Sequence, residues 1–165
     1  MTEISLQQLV ENVKDMENLA IQLTLLVGEQ QSGKSQVLRH IAKSNNFPIK
    51  NLNLLVSQRL LPQTEKQRAR NIEQVVKDVI RENATPGICL DNTEILFDSK
   101  LKINPMHLLR NIARSHNIVA TWNGTLRGQK IEYAQESHPE FFSEKVEGFG
   151  FYLIKGEQIF LKNEI

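Results

Sequence analysis

The sequence predicts an α/β fold of three layers, with a mainly parallel central sheet between helices. Three observations carry this. Residues 21–27, 87–91 and 118–122 are short, nearly unbroken apolar runs, the pattern of strands buried on both faces. Stretches of helical period separate them, so strands and helices alternate. The first run feeds the octapeptide G-E-Q-Q-S-G-K-S at residues 28–35, and a helical pattern leaves it.

Taken in order, Ser5 and Gln8 form a capping-box pattern ahead of Leu6, Leu9, Val10, Val13 and Met16, which predicts an amphipathic helix to about residue 19. Strand 21–27 and the glycine loop follow. Val37, Leu38, Ile41 and Ala42 then mark a helix, which the run 45–48 breaks. Residues 49–55 read as a second strand because Leu52 and Leu54 alternate with polar neighbours. Residues 57–62 fit either a short helix or a loop. Thr64 and Gln67 open a helix of roughly 20 residues, with Ala69, Ile72, Val75, Val76, Val79 and Ile80 on one stripe and charges opposite. Residues 83–86 end it.

Residues 87–91 form a third strand closing on Asp91. Asn104 and Pro105 suit the N-cap and first position of a helix carrying Met106, Leu108, Leu109, Ile112 and Ala113 inward. Residues 118–122 form a fourth strand ending at Asn123. Residues 124–129 read as a polar loop or hairpin tip. Ser137, Pro139 and Glu140 signal another short helix, and residues 151–154 and 159–161 a final hairpin about Gly156. The chain reads as one domain of 165 residues, with residues 1–19 as an N-terminal helix and 151–165 as a C-terminal hairpin.

The octapeptide supplies the chemistry. Gly28 and Gly33 permit backbone approach that a β-carbon would block. The amides of Glu29, Gln30, Gln31, Ser32, Gly33, Lys34, Ser35 and Gln36 then line an anion site at a helix N-terminus. Lys34 would reach the β- and γ-phosphates and Ser35 would hold Mg²⁺. In parallel sheets ligands sit beyond the carboxyl ends of the strands. Gly28, Asp91 and Asn123 end three predicted strands there. Asp91 suits a magnesium-orienting carboxylate, although an Asp starting a turn with Asn92 fits the same position. Hydrolysis also needs a group that positions or deprotonates water. Many phosphate-loop ATPases place a Glu directly after the magnesium Asp; here that residue is Asn92, and Glu94 is the nearest carboxylate. Asn123 suits a sensor of the γ-phosphate or a simple turn. Arg110, Arg114 and Arg127 are alternative arginine fingers for a neighbouring subunit. His40, His107, His116 and His138 lack metal-ligand spacing, and Trp122 reads as core. The expected ligands are ATP and Mg²⁺.

Twenty Lys and Arg face nineteen Asp and Glu, so no global charge excess advertises nucleic acid or a membrane surface. Clusters at 66–70 and 127–130 leave a DNA contact open, one that salt would weaken steeply. One cysteine excludes an internal disulfide and fits a reducing cytoplasm. No signal peptide and no apolar run of about 20 residues stands out, so a soluble cytoplasmic protein without a membrane span is expected.

The phosphate loop, the strand-terminal acid and the Asn-ended fourth strand resemble a minimal ASCE or AAA-like core of the P-loop NTPase fold. More closely, GEQQSGKS, NLNLLVSQRLL, LDNTEILFD, TWNG and YAQESHPEF together resemble the BrxF family of type 3 BREX (bacteriophage exclusion) systems over about residues 20–142. That resemblance implies a bacterial cytoplasmic protein acting with other BREX defence proteins against phage DNA, with Gly28, Lys34 and Ser35 holding nucleotide and Asp91 the magnesium. Asn92 in place of Glu, and a chain ending without a helical lid, point to slow or partner-stimulated hydrolysis, or to a nucleotide-controlled assembly switch. The leading expectation is an ATP-binding, ATP-hydrolysing subunit that forms a homo-oligomer around its nucleotide. The alternatives are a non-catalytic nucleotide-binding subunit and a small-molecule kinase, the latter disfavoured because Arg68 and Arg70 lie on a regular helix.

Overall fold

The computed structural model describes residues 1–82, 86–134, 137–146 and 150–162. The chain begins with β1 (Thr2–Ile4), α1 (Leu6–Asp15), β2 (Leu23–Gly28), α2 (Lys34–Asn45), β3 (Ile49–Asn51), α3 (Leu52–Leu60) and α4 (Glu65–Arg81). It continues through β4 (Gly87–Asp91), α5 (Pro105–Ile112), β5 (Asn117–Asn123), β6 (Thr125–Arg127), β7 (Lys130–Tyr133), β8 (Phe142–Lys145), β9 (Phe151–Lys155) and β10 (Gln158–Leu161). The main sheet has the order β1-β10-β9-β2-β5-β4-β3. Its five strands from β9 to β3 are mutually parallel, while β10 and β1 add antiparallel at one side.

Burial explains why the central strands read as continuous apolar runs. Successive side chains point to opposite faces of a strand, and here both faces are covered. Leu25, Val27, Ile88, Leu90, Ile118, Ala120 and Trp122 pack with α3, α4 and α5. Leu26, Cys89 and Val119 pack on the other face with Leu9, Val13, Leu38 and Ile41 of α1 and α2. The α/β expectation with a mainly parallel sheet and helices on both faces therefore holds. On α4, Ile72, Val76, Val79 and Ile80 are fully buried, each worth about 1.5–3 kcal/mol of apolar burial. Its capping box is complete, with Thr64 Oγ1 accepting from Gln67 N and Gln67 Oε1 accepting from Thr64 N. At α1 the box is half-formed. Gln8 N–H donates to Ser5 Oγ, but the Gln8 side chain turns to Asn12 instead. Residues 83–85, part of the expected end of α4, lie outside the described residues.

Two expectations are corrected. Residues 49–55 do not form one strand: β3 stops at Asn51, and α3 starts at once. Asn51 is the reason, since its side-chain oxygen accepts the Leu54 N–H at 3.0 Å and caps the new helix. Leu52, Val56 and Leu60 then recur every four residues and are buried, whereas Leu54 is 51 % exposed. Alternation over two leucines mimicked a strand. Residues 57–60, ambiguous in sequence, are helical. The second correction concerns residues 137–140, which form turns rather than a short helix. There the Glu140 N–H donates to His138 Nδ1, a local bond that replaces helical pairing.

The stretch after Asn123 is more than a hairpin tip. β6, β7 and β8 make a separate antiparallel sheet that packs Ile131, Tyr133 and Phe142 against the main core. Phe97 stacks on Tyr133 with centroids 3.7 Å apart and meets Trp122 edge-on at 4.8 Å. Trp122 Nε1 donates to Glu132 O, so the tryptophan is core with a satisfied polar end, as expected. The terminal hairpin of β9 and β10 is also present, and β10 pairs with β1, a strand the sequence pattern did not announce.

Candidate functional site

Register sets the site. Gly28 lies opposite Asn123 across β2 and β5, and Leu90 lies opposite Ala120 across β4 and β5, so Asp91 ends beside Thr121. The loop residues Gln30, Gln31, Ser32, Gly33, Lys34, Ser35 and Gln36 then share one cavity of about 520 Å³ with Asp91, Glu94 and Asn123. Residues from two strand ends, Asp91 and Asn123, thus meet the loop at the carboxyl edge of the sheet. Gly28 and Glu29 lie on the loop's other side, lining a neighbouring cavity.

The loop's shape depends on its glycines and on a brace from β9. Gly33 sits at φ +100°, and a β-carbon there would lie 2.9 Å from Gly156 O. A β-carbon on Gly28 would lie 2.8 Å from Ile154 O. Gly156 N–H in turn donates to Ser32 O at 2.7 Å. The turn between β9 and β10 therefore holds the loop closed from outside.

Lys34 begins α2 and is buried, 6 % exposed. Its Nζ donates to Gly28 O at 2.8 Å, Glu29 O at 2.5 Å and Ser32 Oγ at 3.3 Å, which uses all three ammonium donors. Desolvation holds its pKa below the ordinary lysine value, and the carboxylates of Glu94, Asp91 and Glu29 act in the opposite direction. An anion entering the cavity would compete with these three loop oxygens for the ammonium donors.

Across the cavity, Asp91 Oδ1 accepts from Thr121 Oγ1 and from Asn92 N–H, each at 3.0 Å. The turn with Asn92 is thus present alongside the orientation toward the cavity. Asn92 adopts φ +52°, and Thr93 is buried with its hydroxyl donating to Thr121 O at 2.6 Å. Pinned this way, the chain brings Glu94 over the strand ends, where Asn123 Nδ2 donates to Glu94 Oε1. Both partners are fixed from behind, because Phe97 follows Glu94 on its short 3-10 helix and Trp122 precedes Asn123.

The arginines are not gathered there. Arg114 follows Ala113, whose carbonyl accepts from Gln22 N–H before β2, so it lies at the opposite edge of the parallel strands. Arg110 lies one helical turn away on α5. Arg127 is on β6, with Nε 3.2 Å from Glu132 Oε1 and its side chain largely exposed. Among the described residues lining the cavity, Lys34 is the one cation. Arg68 donates to Leu60 O, Leu61 O and Gln63 O, which makes it a clamp on the link between α3 and α4 and leaves it no role as a phosphate lid.

Sequence reasoning missed Asn92, Gly156 and Glu157, which also line the cavity. The available signal was topological. An apolar strand that joins the sheet parallel to β2 must end at the same edge, so the Lys-Gly-Glu turn after β9 falls beside the loop.

For a divalent metal, no group of three or more His, Cys, Asp and Glu is gathered among the described residues, and the four histidines form no such site. Mg²⁺ does not need one, since it keeps several waters and takes one or two protein oxygens plus those of a phosphate. Ser35 and Asp91 on one cavity suit that donor set. Neither models of known protein families nor curated proteins give a match to the sequence. Among the described residues no helix is long and apolar enough to cross a membrane.

Proposed function

We propose that this chain is a P-loop nucleotide-binding protein that holds Mg·ATP and hydrolyses it slowly. The observation that carries the reading is Lys34, buried inside the glycine loop and facing Asp91, Glu94 and Asn123 across one cavity. Loop amides and the Lys34 ammonium would bind the phosphates, and Ser35 with Asp91 would hold Mg²⁺, which when bound neutralises charge on the transferred phosphoryl. Glu94 would accept a proton from the attacking water, and Asn123 would hold the Glu94 carboxylate in place. The strand order supports an ASCE- or AAA-like core, because β5 lies between the loop strand and the acid strand and carries Asn123 between Gly28 and Asp91.

The wider role as a cytoplasmic subunit of a phage-defence (BREX) complex rests on the resemblance to BrxF. A homo-oligomer gains support from two observations. No arginine lines the cavity among the described residues. Leu54 on α3 and Leu61 just after it also expose apolar surface, and the Asn53 N–H of that helix bonds Asn92 O at the site. A second reading, an assembly switch without turnover, is favoured by the Asn123 bond to Glu94, which occupies the base with a neutral donor. Turnover assays separate the two. With hydrolysis, Glu94→Gln abolishes turnover and spares ATP affinity; wild-type protein inert alone and with every added partner would leave the switch. Lys34→Ala should remove ATP binding in either case, and unchanged affinity in that variant would refute the site.

A further inference from the structure

The small sheet β6–β8 touches the site through aromatic rings. Glu94 and Phe97 are the first and last residues of a four-residue 3-10 helix. Side chains three apart eclipse in that geometry, so the two leave the helix on one side. Phe97 is held on its face and at its edge. Tyr133 of β7 stacks on it with centroids 3.7 Å apart and planes 11° from parallel, and Trp122 meets it at 4.8 Å and 88°. Trp122 Nε1 in turn donates to Glu132 O at 3.2 Å, and Glu132 precedes Tyr133 on β7. Trp122 also precedes Asn123, whose Nδ2 donates to Glu94 Oε1. The contacts close a circuit from Glu94 through Phe97, Tyr133, Glu132, Trp122 and Asn123 back to Glu94. Burial raises the Tyr133 phenol above its ordinary pKa, and the carboxylates of Glu140 and Glu94 act in the same direction.

We infer that Tyr133 is a positioning residue for the proposed hydrolysis, its ring acting through Phe97 to hold Glu94 against Asn123. The inference rests on the reading of Glu94 as the group that takes the proton from water. A ring stacked on the face of Phe97 blocks its rotation, and an aliphatic side chain that merely fills the same space does not. With Phe97 free to turn, the 3-10 helix loses the contact that fixes its direction, and Glu94 shifts with it. Tyr133 does not line the cavity of the glycine loop, so phosphate binding is left intact.

The test measures kcat for Mg·ATP and ATP affinity by calorimetry in wild type, Tyr133→Leu, Tyr133→Phe, Phe97→Leu and the double variant Phe97→Leu with Tyr133→Leu. Tyr133 is only half-buried, and urea unfolding checks that each variant keeps its fold. Tyr133→Leu should lower kcat roughly 10- to 100-fold, the cost of misplacing a reacting group by about 1 Å, with ATP affinity unchanged. Tyr133→Phe keeps the stack and should keep kcat. Phe97→Leu should match Tyr133→Leu, and the double variant should be no slower than either, because both remove one contact. Val79→Ala, which truncates the same core on α4, should lose stability without losing kcat. Unchanged kcat in Tyr133→Leu, a loss in Tyr133→Phe as large as in Tyr133→Leu, a parallel loss of ATP affinity, or additive losses in the double variant would each overturn the inference alone. Wild type that binds Mg·ATP and never turns it over would overturn the hydrolysis reading, and this inference with it.

Discussion

Gly33→Ala tests the claim that the β9–β10 turn braces the glycine loop. Two terms add at this position. A side chain at φ +100° is in a sparsely populated region, a strain of about 1–3 kcal/mol. The new methyl would also stand 2.9 Å from Gly156 O, so the turn must move. Movement stretches the 2.7 Å bond from Gly156 N–H to Ser32 O, worth about 1 kcal/mol net. The sum is about 2–4 kcal/mol, which for a chain of this size lowers Tm by roughly 5–15 °C. Gly128→Ala is the internal control. It has φ +59° and nothing within 4 Å of its added carbon, so it carries left-handed strain alone, about 1–2 kcal/mol. Urea unfolding at unchanged slope measures both. Equal losses in the two variants would show that Gly156 is not a brace, and the account of the loop would fail.

Other perturbations separate scaffold from site. Arg68→Ala removes three hydrogen bonds to carbonyls of residues 60, 61 and 63 and should destabilise the chain by about 1–3 kcal/mol while leaving nucleotide affinity unchanged; a selective loss of affinity would reopen the kinase reading. Val56→Ala should lose about 1–3 kcal/mol in denaturant unfolding, because the side chain is fully buried on α3; a neutral result would reject that helix face. Burial pushes the Cys89 thiol up to about 12, so thiol labelling at pH 8–9 should run at the rate of unfolding and not rise with pH as an exposed thiol does. Lys34 has its pKa below 10.5, and the protonated form binds anions. ATP affinity should therefore be full below that lowered value and fall as pH rises through it, and an affinity flat to pH 10.5 would contradict the assignment.

Much of this was legible in the sequence because the signals were local. The glycine loop, the caps at Thr64 and Asn104 and the three buried runs each depend on neighbours within a few residues, and the Asn104 side chain does accept the His107 N–H. Asp91 and Asn123 could be placed on one edge because parallel strands share a direction. Residues 49–55 failed because two alternating leucines look alike in a strand and at the start of a helix, and the arbiter was the Asn51 cap. Glu157 failed for a different reason. Its relation to the loop is set by β9 pairing with β2 across more than a hundred residues, and nothing in the local pattern encodes that partner. The same holds for the Arg68 clamp, since three carbonyl acceptors leave no trace in composition.

The residue after Asp91 then takes on a different meaning. Asn92 stands where many ATPases carry their catalytic Glu, and in sequence it looks like a loss. Its backbone lies at φ +52°, a conformation that Asn tolerates and that strains a Glu. That left-handed step lets Thr93 turn inward and bond Thr121 O, and it carries the chain so that Glu94 meets Asn123. Restoring Glu at position 92 would put the carboxylate on a strained backbone and disturb the turn that aims Glu94. Under the proposed function, Asn92→Glu should therefore lower turnover rather than raise it. Asn92→Gly, which keeps the left-handed step, should leave turnover near wild type. Faster turnover in Asn92→Glu would mean that the position after Asp91 is the catalytic one after all and that Glu94 is not the base.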